Sequence, residues 1–403
     1  MIKRPLYTER LKKFIGLPFI KILTGVRRCG KSTILKLLIQ DLKSQGVKEE
    51  QIIFMDYGSL AYNNFKDYMA VYNNVKSKIT TKEKYYIFLD EFQEVDDWEK
   101  VANSLFNDFN SEIFITGSNS KMLSSEISTY LSGRYKTFHI LPLSFFEYLD
   151  FKKSYRKIRD KKEKLYEYIK LGGFPATNIR EMTKEETYST IQDIYNSIIV
   201  KDILDKSEVR RVDMLHRIVA FLIENTGKIF SAKSIIKFFK RENRKIDIDT
   251  IHNYIALLEK AFMIYKCENF DIQGKEVLGT QEKYYIVDSS LKYANFRYDE
   301  KSLSAMLENI VFLEMKRRGY KIYIGKISNL EIDFIGEKND DKIYIQVCKE
   351  ITGYETRERE YENLLKIKDN HPKYVVMDYV YAEGNYDGIK TINIADFLLD
   401  ESW

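Results

Sequence analysis

The chain is poor in cysteine: 403 residues carry three, Cys29, Cys267 and Cys348, far apart from one another. That is too few and too dispersed for a disulfide framework or a zinc site, and it suits a reducing compartment, so a cytoplasmic location is expected. No apolar run approaches the ~18 residues that a membrane helix needs, so no membrane insertion is expected. The opening residues, Met1-Ile2-Lys3-Arg4-Pro5-Leu6-Tyr7, have charge but no apolar segment or small-residue cleavage site behind them, which argues against a secretory signal. A strong charge of one sign is lacking too. The 65 basic and 60 acidic residues leave a net charge of +5, too even to point to nucleic acid by composition. What is present is ordinary globular material, 44% hydrophobic and 31% charged, in a length that holds two or three domains of about 100 to 200 residues each.

One stretch organises the rest. Gly25-Val26-Arg27-Arg28-Cys29-Gly30-Lys31-Ser32 follows the apolar run 20–23 and precedes a helical pattern, Ile34-Leu35-Lys36-Leu37-Leu38-Ile39. Glycines let backbone N–H groups turn onto phosphate oxygens without a Cβ in the way, and a helix N-terminus behind them adds further donors and a favourable dipole. In this arrangement Gly25, Arg28, Gly30, Lys31, Ser32 and Thr33 bind ATP. Lys31 reaches the β- and γ-phosphates and the Ser32 hydroxyl ligates Mg²⁺.

A second anchor is Tyr85-Tyr86-Ile87-Phe88-Leu89-Asp90-Glu91, an apolar strand ending in two acids. Asp90 is placed to hold the Mg²⁺ shell, and Glu91, one residue on, to act as general base on water. Strands are also expected at 51–56, at 112–119 and at 138–143, with a polar helix over 65–79. After the strand at 112–119, Ser118 or Asn119 orients the water or senses the γ-phosphate, or else Ser120 or Asn119 caps a helix over Lys121-Met122-Leu123. Arg134, in Leu131-Ser132-Gly133-Arg134-Tyr135, is either an arginine finger or sensor or a surface arginine ahead of a strand.

These motifs, with Phe88-Leu89-Asp90-Glu91-Phe92-Gln93, Pro142-Leu143-Ser144-Phe145 with Glu147, and Gly172-Gly173-Phe174-Pro175, resemble in content and order the AAA-type P-loop ATPases of bacteria and archaea. Those proteins carry a C-terminal domain of unknown function with a restriction-endonuclease-like core. The resemblance covers most of the chain. It implies an α/β fold class: an N-terminal parallel-sheet P-loop ATPase core over 1–150 and a linker and helical lid over 151–212. A winged-helix-like domain over 213–300 and an endonuclease-like α/β domain over 301–403 follow. Lys201-Asp202-Ile203 is a further family-like element.

The segment 151–164, FKKSYRKIRDKKEK, holds eight basic and two acidic residues and reads as a solvated helix or linker, or else as a phosphate-backbone contact. Helices expected at 215–225, 231–239 and 249–261, with Ser231 and Asp249 at cap positions, and a strand at 262–270 make a winged helix. Its third helix presents Thr250, His252 and Asn253. That helix is poor in Lys and Arg, which favours a protein spacer over a DNA reader. In the last domain Glu308, Asp333 and Gln346 stand where endonuclease-like folds gather oxygen ligands for a metal. The lysine of that pattern is replaced by Cys348, with Lys349 beside it, so a degenerate core is expected.

The reading is therefore an ATPase in which turnover drives rearrangement of the C-terminal domains on an unidentified protein or DNA partner, in a chain open to homo-oligomer assembly. An ATP-gated metal-dependent DNA nuclease and a nucleotide-dependent binding switch with little turnover are the alternatives.

Overall fold

A computed structural model describes residues 2–62, 65–123, 130–131, 133–155, 157, 160–207, 209, 211–296, 299–350, 354–379 and 384–403. Arg156, Ile158 and Arg159 of the basic segment, and Ser132 of the element before Arg134, lie outside the described residues. The chain divides into two compact units, one of Met1–Leu141 with Lys260–Phe262 and one of Pro142–Glu259 with Met263–Trp403.

The first unit is built on a five-stranded parallel sheet of β1 (Ile20–Thr24), β2 (Ile52–Asp56), β3 (Tyr85–Asp90), β4 (Ser111–Gly117) and β5 (Tyr135–His139), in the order β2-β3-β4-β1-β5. All its pairings are parallel, so the carboxyl ends of the strands share one edge and the loops after β1, β3 and β4 meet there. β1 is buried at every position, as expected of a central strand covered on both faces. Its one charged residue, Lys21, forms a buried ion pair with Glu112 of β4, which Lys84 also contacts at 2.6 Å. Burial lowers the Lys21 ammonium, and Glu112 restores part of what is lost.

The expected strand at 138–143 is instead Tyr135–His139. The ladder stops because Leu141 N–H donates to the Tyr7 hydroxyl at 3.2 Å and its carbonyl accepts from Arg4, while Pro142 has no N–H to offer. The helix expected over 65–79 runs from Tyr68 to Lys78, started by Asp67, whose carboxylate accepts from Ala70 N–H.

The second unit holds an eight-stranded mixed sheet. Its strands are β6 (Ile264–Asp271), β7 (Glu276–Ile286), β8 (Lys321–Ile327), β9 (Leu330–Lys338), β10 (Asp341–Cys348), β11 (Lys373–Met377), β12 (Gly384–Tyr386) and β13 (Ile389–Asn393), in the order β12-β13-β11-β10-β9-β8-β6-β7. The hairpin of β6 and β7, expected as the wing of a separate domain, pairs with β8 from Glu268 to Asp271 and so extends the C-terminal sheet. The segments expected at 151–212, 213–300 and 301–403 thus share one compact unit. Helices Val212–Glu224, Ala232–Arg241 and Ile248–Lys260 precede the hairpin. The last begins on Asp247, not Asp249, since the Asp247 carboxylate accepts from Thr250 N–H at 2.7 Å.

Two motifs of the second unit have packing explanations. Gly172 has φ 75°, and a Cβ there would lie 2.0 Å from Asp288 Oδ1. The neighbouring Gly173 N–H donates to the same buried carboxylate at 2.8 Å, so the glycine pair is a clamp on Asp288. Ser144 and Glu147 form a reciprocal cap on helix Phe145–Lys153, and the Arg317 guanidinium anchors this turn by donating to the Pro142 carbonyl at 2.9 Å.

Candidate active site

The loop after β1 is shaped by a close backbone approach. Gly25 has φ 145°, and a Cβ on it would lie 2.1 Å from the Ile140 carbonyl oxygen, so no other residue fits. Arg28 takes a left-handed φ of 67° at the exposed tip. Helix Lys31–Ser44 then begins, with Thr33 exposed on its first turn. The first N–H groups of this helix have no partner within it, which makes its N-terminus an anion site. Lys31 is buried and donates to the carbonyls of Gly25 at 2.9 Å and Val26 at 3.2 Å, which holds its ammonium across the loop.

Opposite the loop, Asp90 ends β3 and is buried. Burial pushes its carboxyl above the ordinary aspartate value, while hydrogen bonds from the Thr116 and Ser32 hydroxyls pull it back. Ser32 and Asp90, the two residues expected to hold Mg²⁺, therefore face the same edge, near enough for the serine hydroxyl to act on the carboxyl. Hydroxyl and carboxylate oxygens are the hard donors this ion takes, so the residues fit it. Glu91 follows with a left-handed φ of 50°, its N–H donating to Thr116 Oγ1 at 2.9 Å and its carboxylate accepting from Gln93 Nε2 at 2.6 Å. A non-glycine residue in that conformation is held by its surroundings, and here Thr116 and Gln93 are among the groups that hold it.

Thr116 is the residue that sequence reasoning passed over. Its hydroxyl donates to Asp90 Oδ1 and accepts from Glu91 N–H, so a single side chain on β4 orients both acids. Its signal was present: β4 lies between the strands of the loop and of Asp90. Threonine in a strand reads as β-propensity, however, unless the neighbour is known. Ser118 and Asn119 follow β4 at the same edge, both buried, and the Asn119 carbonyl accepts from Met122 N–H to start the short turn Ser120–Leu123.

Arg4 is a second residue without a sequence signal. Its guanidinium is buried, donates to the Cys29 carbonyl at 2.8 Å and to the Leu141 carbonyl at 3.0 Å, and lies 4.6 Å from the centre of the Tyr7 ring. It braces the phosphate loop from behind, which gives the N-terminal segment its purpose. Cys29 itself is buried, and burial pushes its thiol up, away from the reactive thiolate.

Arg134 stands elsewhere. It precedes β5, where Tyr135 pairs with Ile20, whereas the phosphate loop follows Thr24 at the other end of β1. The length of the strand, about 16 Å at ~3.3 Å per residue, separates them. Its guanidinium is exposed and donates to Asn107 Oδ1 at 2.8 Å. The expectation of a sensor acting within its own subunit is corrected on this ground: a parallel sheet puts the residues before and after a strand on opposite edges.

In the second unit Glu308, from helix Leu303–Arg317, shares a cleft of about 510 Å³ with Asp333 of β9 and Gln346 of β10. Val347 N–H donates to Asp333 Oδ2 at 2.8 Å, and Asp333 N–H to Gln346 Oε1 at 3.3 Å. Beside them sits Lys283 of β7, buried, 2.7 Å from Glu331 Oε1 and 3.8 Å from Glu308 Oε2. Burial works against its charge, yet Glu308, Asp333 and Glu331 outweigh that and hold the ammonium above the ordinary lysine value. Burial, reinforced by Asp333, raises Glu308 well above a normal glutamate, and burial pushes Asp333 up to about 6. Among the described residues no three His, Cys, Asp or Glu side chains group as a metal site. With an internal ammonium on the carboxylates and Cys348 in the lysine position, this cleft does not fit a catalytic metal.

The first unit thus defines a P-loop nucleotide-binding fold in which an extra strand separates the loop strand from the acidic strand. Residues 18–149 match the family described as "AAA domain", and residues 162–302 match a "Domain of unknown function (DUF8612)". An uncharacterized protein of Haemophilus influenzae is 38% identical over 403 residues, covering 99% of each chain. The uncharacterized protein MJ1544 of Methanocaldococcus jannaschii is 31% identical over 94% of this chain and 85% of its own. In the solved Walker-type ATPase PabY2304 of Pyrococcus abyssi the fold recurs at 13% identity, with a TM-score of 0.51 over 73% of this chain and 95% of that one. The chain belongs to one family with these two relatives, and its residues 18–149 carry the AAA domain. Among the described residues no helix is long and apolar enough to cross a membrane.

Proposed function

We propose that the chain binds ATP between the loop 25–33 and the Asp90-Glu91 strand end and hydrolyses it. The observation that carries this reading is the Thr116 hydroxyl, which ties Asp90 and Glu91 together at the sheet edge where the loop 25–33 also emerges. The Lys31 ammonium has three protons; two bond loop carbonyls, and the third serves a phosphate oxygen. N–H groups at the start of helix Lys31–Ser44 take further phosphate oxygens. Ser32 and Asp90 would hold Mg²⁺, which when bound neutralises charge on the β- and γ-phosphates. Glu91 accepts the proton of the attacking water as its oxygen bonds to the γ-phosphorus and the bond to the bridging oxygen breaks, leaving ADP and phosphate. Asn119, buried at the same edge, is read as a polar group that orients that water or senses the γ-phosphate.

Turnover is read as driving rearrangement of the second unit on a protein or DNA partner. Helix Leu303–Arg317, the three antiparallel strands β8 to β10, helix Tyr354–Leu365 and the parallel β11 are compatible with an endonuclease-like core. The Lys283 ammonium favours a degenerate one. Lys31→Ala should abolish tight nucleotide binding, whereas Glu91→Gln should bind as the parent does and turn over about 10² to 10⁴ more slowly. Nucleotide titration and steady-state phosphate release on the two variants decide it, and parental turnover in Glu91→Gln would remove the base from the mechanism.

A further inference from the structure

The second unit carries a basic surface that the ATPase reading does not use. Helix Ala232–Arg241 reads AKSIIKFFKR, with Lys228 just ahead of it. Lys228, Lys233, Lys237, Lys240 and Arg241 are all exposed, and among the described residues none of the five is in an ion pair. Of the acids nearby, Glu242 pairs with Arg217 and Asp213 with Arg244, while Glu224 and Lys228 both act on Lys292. Cations that repel one another and hold no ion pair mark a place for an external anion. Helix Ile248–Lys260, which follows, ends in the one Lys or Arg it has, so the cationic face lies on helix Ala232–Arg241.

Beneath these charges is a pocket of about 330 Å³. Its walls are aromatic: Phe221 and Phe238 meet with ring centres 5.6 Å apart, and Phe230 and Tyr284 meet edge to face at 5.1 Å. The three phenylalanines are only half-buried. Asn225 and Ser234 add polar atoms to the wall, and Lys228, Lys237 and Arg241 stand at its mouth. Flat rings, amide and hydroxyl groups inside and cations outside match one chemistry, a planar heterocycle attached to a phosphodiester. A duplex keeps the faces of its bases stacked, whereas a single strand presents them.

We propose that this pocket and helix Ala232–Arg241 bind single-stranded nucleic acid, with a base received among Phe221, Phe230 and Phe238 and the flanking phosphates on Lys228, Lys237 and Arg241. The test is fluorescence anisotropy on the full chain with labelled oligo-dT, oligo-rU and a duplex of the same length, over a range of salt. Single strands should bind, more tightly than the duplex, with an affinity that falls with salt. Lys237→Gln with Arg241→Gln should weaken them about 10-fold or more at low salt and flatten the salt slope by about 0.7 per cation removed. Phe238→Ala should weaken single strands about 5- to 100-fold, and Phe238→Tyr, which keeps a ring for stacking and packing, should restore most of the binding. ATP titration of each variant verifies that the chain is folded. The oligo-dT and oligo-rU arms show which sugar is preferred, and tight binding of either supports the site. Absence of single-strand binding at low salt, binding indifferent to both the charge and ring variants, or duplex binding equal to single-strand binding would overturn the proposal.

Discussion

Thr116→Val removes one oxygen from the centre of the candidate active site and changes little else, because valine has nearly the shape of threonine. Two hydrogen bonds are lost. The bond from the Thr116 hydroxyl to Asp90 is charge-assisted and worth about 1.5–3 kcal/mol. The bond from Glu91 N–H leaves a part-buried donor unsatisfied, at about 1–3 kcal/mol. A net loss of about 3 kcal/mol corresponds to a melting transition of the first unit roughly 6–12 °C lower. Function should suffer more than binding. Glu91 sits at a φ of 50°, held partly by this bond, and a base displaced by a fraction of an ångström should slow turnover about 10- to 100-fold with a smaller change in KM. Asp90 would also lose a contact that pulls its raised carboxyl back down. Its protonation would then reach higher pH, and the acidic limb of the turnover profile should move in that direction. Thr116→Ser keeps the hydroxyl and should recover most of the rate and the acidic limb. The measurements are kcat and KM for ATP across pH, a thermal melt and nucleotide titration. A valine variant with parental kcat and an unshifted profile would refute the claim that Thr116 organises the two acids.

Arg134→Ala should leave ATP affinity and the single-subunit rate unchanged, since the guanidinium is at the opposite edge of the sheet. A rise of specific activity with protein concentration that the variant abolishes would place this arginine on a neighbouring subunit's nucleotide. For Asp333 the folded carboxyl, at about 6, lies above the unfolded value of about 3.9, so the native state binds the extra proton and stability falls as pH rises between those values. Asp333→Asn should therefore stabilise the second unit by about 1–3 kcal/mol at pH 7, with the gain vanishing near pH 4. A variant less stable than the parent at pH 7 would mean that the carboxylate is needed as a charge. Purified protein with Mg²⁺ or Mn²⁺ should leave plasmid and linear DNA intact with or without ATP. Cleavage that Asp333→Ala eliminates would instead make the cleft a nuclease site with Lys283 or Lys349 in the missing role.

The local elements were legible in the sequence because they rest on short-range rules. Gly25, Gly30, Lys31 and Ser32 are diagnostic together: a backbone that wraps phosphate needs glycine where a Cβ would strike carbonyl oxygen, and at Gly25 that oxygen belongs to Ile140. Asp90 and Glu91 were legible because an apolar strand ending in acids has few other uses beside such a loop. The three helices before β6 followed from their apolar spacing. What the sequence by itself determined was therefore the chemistry available and the order of the pieces along the chain. Tertiary structure alone decided which pieces meet. Thr116 became the link between the two acids only because β4 lies between β1 and β3, an order set by crossovers rather than by any neighbour in sequence. Arg134 lost its place at the phosphates because strand direction, invisible in a five-residue apolar pattern, puts it at the far edge. The hairpin of β6 and β7 looked like a wing because its pairing to itself is local, while its pairing to β8 joins residues some fifty positions apart in the chain. That pairing also carries Lys283 to Glu308 and Glu331, and with it the charge balance of the C-terminal cleft. Long-range pairings such as these depend on the whole sheet closing at once, and no window of sequence contains them.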